Sequence, residues 1–101
     1  MNFADTLKTL PEAVGEKLVL TDAAGAEVGA IPNAPGTAGS FRVYAYLASQ
    51  HGAITPEAAA EGLAIFAEHA QDASAHPGKH PNIDRLIGLV LSGATLQARI
   101  V

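Results

Sequence analysis

The chain contains no cysteine and no tryptophan, and it has only three phenylalanines and two tyrosines among its 101 residues. Without cysteine it has no disulfide, no thiolate nucleophile and no cysteine-ligated zinc site. A chain without disulfides suits the reducing cytoplasm, and we expect that location. The first eleven residues include Asp5 and have no basic stretch before an apolar run, so they do not predict a signal peptide.

Positive charge is also scarce. The six lysines and arginines are scattered, and the formal net charge is −4. A surface that binds duplex nucleic acid needs clustered cations to displace counterions from phosphates, so we expect no nucleic-acid partner. No apolar stretch reaches the roughly 18 residues that span a bilayer, so no membrane partner is expected either.

Alanine is the abundant residue, with 21 of the 49 hydrophobic positions. The remaining 28 include 25 leucine, isoleucine, valine and phenylalanine residues, about a quarter of the chain. That proportion lies above the roughly 20% below which disorder is expected. The length suits one domain, and we therefore predict a single folded domain over residues 1–101.

The spacing of apolar residues predicts four helices and three strands. The strands are expected at about residues 17–21, 27–31 and 94–101, and the helices at about residues 3–10, 41–51, 56–73 and 83–92. Helices and strands are segregated along the chain. This order favours an α+β fold with a small three-stranded sheet, antiparallel or mixed, and with helices on one face.

Several positions within these elements carry more detailed predictions. Leu18 and Leu20 are expected to share one face of a hairpin, opposite Val28 and Ala30. A glycine inside a helix costs roughly 1 kcal/mol relative to alanine. Gly62, within the predicted Ala-rich helix over 56–73, therefore indicates a close contact with a neighbouring element.

A histidine-rich segment follows this helix and is the first candidate site. His69, Asp72, His76 and His80 combine imidazole and carboxylate groups, which are suitable ligands for a divalent transition metal. Their spacing matches no established metal-binding signature. His76 or His80, with Asp72 or Asp84, could also form a general acid–base pair. The alternative is a solvated loop that turns at Pro77-Gly78.

A glycine-rich loop before the helix over 41–51 is the second candidate site. Gly36, Gly39 and Ser40 lie where backbone N–H groups at a helix start can hold a small anion, and Arg42 would add positive charge. The loop has no lysine after its second glycine and does not match a P-loop or a G-x-G-x-x-G motif. The alternative is structural, with the glycines forming a turn and Ser40 capping the helix.

Two stretches together resemble a known family. They are PGTAGSFRVY at residues 35–44 and HPGKHPNID at residues 76–84, with FAEH at residues 66–69. The chain resembles a family of short bacterial proteins, about 100 residues long, known only as a domain of unknown function. The resemblance spans nearly the whole chain and implies a cytoplasmic bacterial protein. It implies no activity, and so no functional residue can be carried over from it.

No catalytic signature is present, and the sequence predicts a non-catalytic domain that binds a protein partner or associates with itself. A homodimer could form through the C-terminal strand, as a sheet edge, or through an Ala-rich helix face. Two alternatives stay open. One is a transition-metal-binding protein or metal-dependent enzyme that uses the segment over 69–84. The other is small-anion binding at residues 36–42.

Overall fold

Three strands and five helices make up the chain in the computed structural model, which describes residues 1–101. The strands are β1 (Lys17–Thr21), β2 (Glu27–Pro32) and β3 (Gln97–Ile100). The helices are α1 (Phe3–Thr9), α2 (Ala38–His51), α3 (Pro56–Phe66), α4 (Glu68–Ala75) and α5 (Pro81–Ser92). The predicted α+β class is confirmed.

The sheet has the strand order β2-β1-β3, and both pairs of neighbours are antiparallel. β1 and β2 form the predicted hairpin. Its turn is closed by the Asp22 carboxylate, which accepts the N–H groups of Ala24 and Ala26. β3 pairs with the other side of β1, so β2 and β3 are the two edges of the sheet. The antiparallel arrangement and the C-terminal edge strand agree with the sequence prediction.

The prediction of which residues of the two hairpin strands lie opposite each other is wrong by one residue. Leu18 lies opposite Ile31, and Val28 and Ala30 therefore point to the exposed face of the sheet. The register shifts at Thr21, where a bulge adds one residue to the pairing. Because side chains alternate between faces, a shift of one residue moves each side chain to the opposite face.

The core lies between helices α2, α3 and α5 and the face of the sheet that carries Leu18, Leu20 and Ile31. Its largest fully buried side chains are Tyr44, Phe41, Leu18, Leu20, Ile31, Leu47, Ile54, Leu86 and Val43. The longest helix has 14 residues, and none of the five combines the length and apolar character that crossing a bilayer requires.

The small residues of α3 allow the helices to pack closely. Ala58, Ala59 and Gly62 are buried in the helix layer. A Cβ added to Gly62 would lie 2.7 Å from Leu86 Cδ1 and 2.8 Å from Leu47 Cδ1. This confirms that Gly62 marks a close contact. The buried alanines of α3 serve packing inside the molecule, so this side of the helix offers no surface for a second copy.

The predicted single helix over 56–73 is wrong. The helix is interrupted at Ala67, which has φ 51° and ψ −115°, and α4 starts at the next residue. Residues 63–76 contain no glycine or proline, so no local signal marks the break. Contacts with distant parts of the chain hold it, as described below.

Three further element boundaries differ from the prediction. α2 begins at Ala38, so Ser40 lies in its first turn and does not cap it. The hydroxyl of Thr37, the residue before α2, donates to the Pro32 carbonyl in β2. α5 begins at Pro81, because proline at the first helical position has no N–H to leave unpaired. The predicted strand over 94–101 is shorter, at 97–100.

Candidate functional site

Asp72 lies at the centre of a cluster of charged side chains between α4 and the loop that leads to α5. Its Oδ2 atom is 2.6 Å from His80 Nε2 and 2.9 Å from Lys79 Nζ. His76 Nε2 lies 3.9 Å from Oδ1. We call this cluster of Asp72, His76, Lys79 and His80 the Asp72 latch. The hydrogen bond with His80, followed by that with Lys79, lowers the pKa of Asp72 to about 2.

The four predicted metal ligands are brought near one another but do not form a closed set. His76 and His80 contact Asp72, while His69 turns its ring toward His80 at 5.9 Å between ring centroids. The Lys79 ammonium occupies the same carboxylate oxygen as His80. No three histidine or acidic side chains are arranged to hold a metal ion. Metal binding by these residues stays a prediction.

The predicted anion-binding residues divide into two pairs. Gly36 and Ser40 line a cleft of about 240 Å³ whose opposite wall includes Lys79, His80 and Asn82. Gly39 and Arg42 do not line this cleft. Lys79 and His80 are already paired with Asp72, which reduces the positive charge they offer to an anion.

Gly39 and Arg42 lie away from this cleft, beside α1. Gly39 packs close to the Phe3 ring. The Arg42 guanidinium donates hydrogen bonds to the carbonyls of Leu10 and Pro11, after the end of α1. Arg42 therefore holds the chain between α1 and β1, and anion binding at residues 36–42 stays a prediction.

The two stretches that carry the family resemblance meet at Tyr44. The Tyr44 hydroxyl donates to the Asn82 carbonyl and accepts from Arg85 Nη1 at 3.3 Å. Arg85 also donates to Asn82 Oδ1 at 3.0 Å, and its guanidinium lies 5.7 Å from the centre of the Tyr44 ring. Burial raises the pKa of Tyr44 to about 12, against the opposing charge of Arg85. This polar network joins α2 to the start of α5.

A groove between α4 and α5 was not predicted from the sequence. It has a volume of about 460 Å³ and is lined by Ala73, Ser74, Pro77, Asp84, Ile87, Gly88 and Leu91. We call it the α5 groove. Leu91, at one end, has 82% of its surface exposed. The available signal was that six of the twelve residues of α5 are isoleucine, leucine or valine, more than one buried stripe requires.

The fold and these contacts define a small α+β domain with a cluster of charged side chains around Asp72 and a partly apolar groove beside α5. The family model described as "Uncharacterized protein conserved in bacteria (DUF2322)" matches residues 3–100. The chain belongs to this family, as the resemblance in the sequence indicated. No curated protein and no solved structure matches the chain.

Proposed function

We propose that this protein is a non-catalytic interaction domain that associates with a second copy of itself through the α5 groove. The observation that carries this proposal is the composition and exposure of α5. Six of its twelve residues are isoleucine, leucine or valine. Ile83, Leu86 and Leu89 are buried in the core, while Val90 and Leu91 are exposed. The apolar residues of α5 thus extend beyond its buried side, and an exposed apolar surface of this kind is typical of an interaction site.

The groove has complementary features that suit contact between identical chains. Leu91 projects from α5. Three positions earlier Gly88 has no side chain, and we call the open space beside it, with no atom within 4 Å of the position of a Cβ, the recess. Both lie on the outward side of the same helix, together with Ile87. A two-fold axis would place each Leu91 over the partner's Gly88, which is the reciprocal pattern of a symmetric dimer. Small residues at such a crossing let helices approach closely.

The charges around the groove also favour an apolar partner surface. Asp84 is the only charged residue in its lining, and its carboxylate accepts the Gly78 N–H at 2.8 Å. No unpaired lysine or arginine lines the groove. Covering this surface with a second copy would bury apolar area, with Asp84 as the one charged group that must stay at the solvated rim of the contact.

The polar clusters support a structural role rather than a catalytic one. The Asp72 latch joins α4 to the loop before α5, and the Tyr44 hydroxyl joins α2 to α5. Every buried side-chain nitrogen and oxygen has a hydrogen-bond partner. These interactions stabilise helix positions. We propose that the protein acts in the bacterial cytoplasm, with its own copies as partners.

Light scattering coupled to size exclusion tests the proposal with a matched pair of variants. We expect the wild type to shift toward a dimer as its concentration rises. Leu91→Glu would place a charge in the contact and make the protein monomeric. Val14→Glu is the control, because Val14 is 87% exposed but lies in the linker between α1 and β1, away from the groove.

A wild type that stays monomeric at the highest soluble concentration would contradict self-association. A dimer that survives Leu91→Glu would contradict the use of the α5 groove and would direct attention to the exposed edge of β3.

A further inference from the structure

The break between α3 and α4 is strained. Ala67 is the only residue other than glycine with a positive φ. Its combination of φ 51° and ψ −115° belongs to a region of backbone space that glycine adopts readily and L-residues avoid. The surrounding sequence favours a continuous helix, because alanine has the highest helix propensity and residues 63–76 contain no glycine or proline. Local preference and observed structure therefore disagree at this residue.

Helix α1 clasps the outside of this break. The Phe3 ring stacks on Phe66 with 5.1 Å between centroids and meets the edge of His69 at 5.3 Å. The Phe3 N–H donates to Glu68 Oε1 at 2.8 Å. These contacts join residues on both sides of Ala67 to one short helix. These contacts are few, and none of the seven residues of α1 is fully buried.

The other end of α4 is held against α5. Ala73 is buried in the core, and the Asp72 latch connects α4 to Lys79 and His80 just before α5 begins. The bend at Ala67 is thus maintained by contacts at α1 and at the latch, against the preference of its own sequence. An element held between such opposing tendencies has two candidate arrangements.

We propose that the segment from Pro56 to Ala75 is a two-state element. In the bent state α1 clasps the break and α4 forms one wall of the α5 groove. In the straight state the segment is one helix, α1 is released and the wall formed by Ala73 and Ser74 is withdrawn. The bent state carries a complete groove, so the switch would regulate self-association; this consequence rests on the proposed function, whereas the two states themselves do not.

Two alanine-to-glycine variants separate the states by the sign of their effect on stability. Ala67→Gly relieves the strain of the bent state, so we expect its melting temperature to rise. Ala64→Gly is the matched control, because Ala64 is exposed within α3, where glycine only weakens the helix and lowers the melting temperature. If Ala67→Gly lowers the melting temperature as Ala64→Gly does, the strained bend and the proposal are overturned.

Amide hydrogen exchange measured by NMR reads the two states directly. In the bent state Glu68 and His69 open a new helix, and their N–H groups have no backbone carbonyl acceptor within it. In a straight helix they would donate to the carbonyls four residues earlier and exchange more slowly. We expect Phe3→Ala to slow exchange at Glu68 and His69 while accelerating exchange at Leu7 in α1.

Asp72→Asn provides a second route to the same result, since Asp72 is surface-accessible and its replacement loosens only the latch. We expect slower exchange at Glu68 and His69 in this variant as well. If exchange at these two amides becomes faster or stays the same in both variants, the straight state is not formed and the proposal fails. The exchange measurement does not depend on association, so its failure is distinguishable from failure of the dimer.

Discussion

The Asp72 carboxylate and the His80 imidazole meet at 2.6 Å across the loop that joins α4 to α5. Lys79 contacts the same carboxylate oxygen, so the Asp72 side chain binds two charged or polar side chains of this loop. The first candidate site of the sequence is therefore a connection between two helices. We expect this connection to make stability depend on pH.

We expect acid to weaken the wild type through Asp72. The pKa of this carboxyl is lowered from 3.8 to about 2 in the folded protein, chiefly by the hydrogen bond with His80. A lowered folded-state pKa stabilises the fold above the unfolded value and loses that contribution as pH falls through the folded value. Melting temperatures measured from pH 6 to about pH 2 should fall in the wild type over the lower part of this range.

Asp72→Asn should remove this part of the pH dependence, because the amide does not titrate. Asp5→Asn is the control, since Asp5 is an exposed carboxylate outside the latch. An acid profile of Asp72→Asn that coincides with the wild type would show that the latch does not contribute.

Gly62→Ala should destabilise the fold by about 1 kcal/mol. The new methyl group would meet the fully buried Leu47 and Leu86 at less than 3 Å. Overpacking of this kind costs about 1–3 kcal/mol, which exceeds or cancels the roughly 1 kcal/mol that alanine gains in helix propensity. Urea unfolding checks the change. A more stable variant would contradict the close contact of α3 with α2 and α5.

Gly88→Ala should have the opposite effect. Its Cβ meets nothing within 4 Å, so the gain in helix propensity, about 1 kcal/mol, is unopposed. The same methyl group fills the recess of the α5 groove and should weaken self-association. Urea unfolding and light scattering on one sample measure both quantities. A variant that is more stable and associates as strongly as the wild type would show that the recess is not used.

Tyr44→Phe should lower the free energy of unfolding by about 1–3 kcal/mol. The Asn82 carbonyl and the Arg85 guanidinium, both on partly buried residues, would lose the Tyr44 hydroxyl as a hydrogen-bond partner. Tyr46→Phe is the control, since Tyr46 is only partly buried. The free energy of unfolding in urea measures both. Equal, small losses would indicate that the network between α2 and α5 adds little.

Zinc and nickel should leave the melting temperature of the wild type unchanged, because Lys79 and His80 already occupy Asp72 Oδ2. Thermal unfolding with each metal at several concentrations measures this. A rise in melting temperature that disappears in His76→Ala/His80→Ala would instead support the metal-binding alternative.

The sequence predicts most of this fold because the apolar period and the turn residues act locally. The hairpin, α2 and α5 follow from such signals. The break at Ala67 does not, since it is held by Phe3, more than sixty positions away. The register of β2 also escapes prediction, because a bulge at Thr21 shifts the pairing by one residue.

The candidate sites show the same limit. The proximity of His76, Lys79 and His80 to Asp72 follows from their short spacing, but which of them pairs with which carboxylate oxygen does not. Ser40 faces the histidine loop while Arg42, two positions later in α2, points to the opposite side of the helix, a division that the rotation of the helix about its axis decides. The apolar pattern of α5 predicts burial without telling which side meets the core.

The central position of β1 has a consequence for how the molecule assembles. Its partner β2 follows at once in the chain, but β3 follows only after β2 and the four helices α2 to α5. Closing so long a loop costs entropy before any hydrogen bond of that strand pair forms, which slows folding. We expect packing of the helices to bring these two strands together, and the sheet and helix layers to melt in one cooperative step.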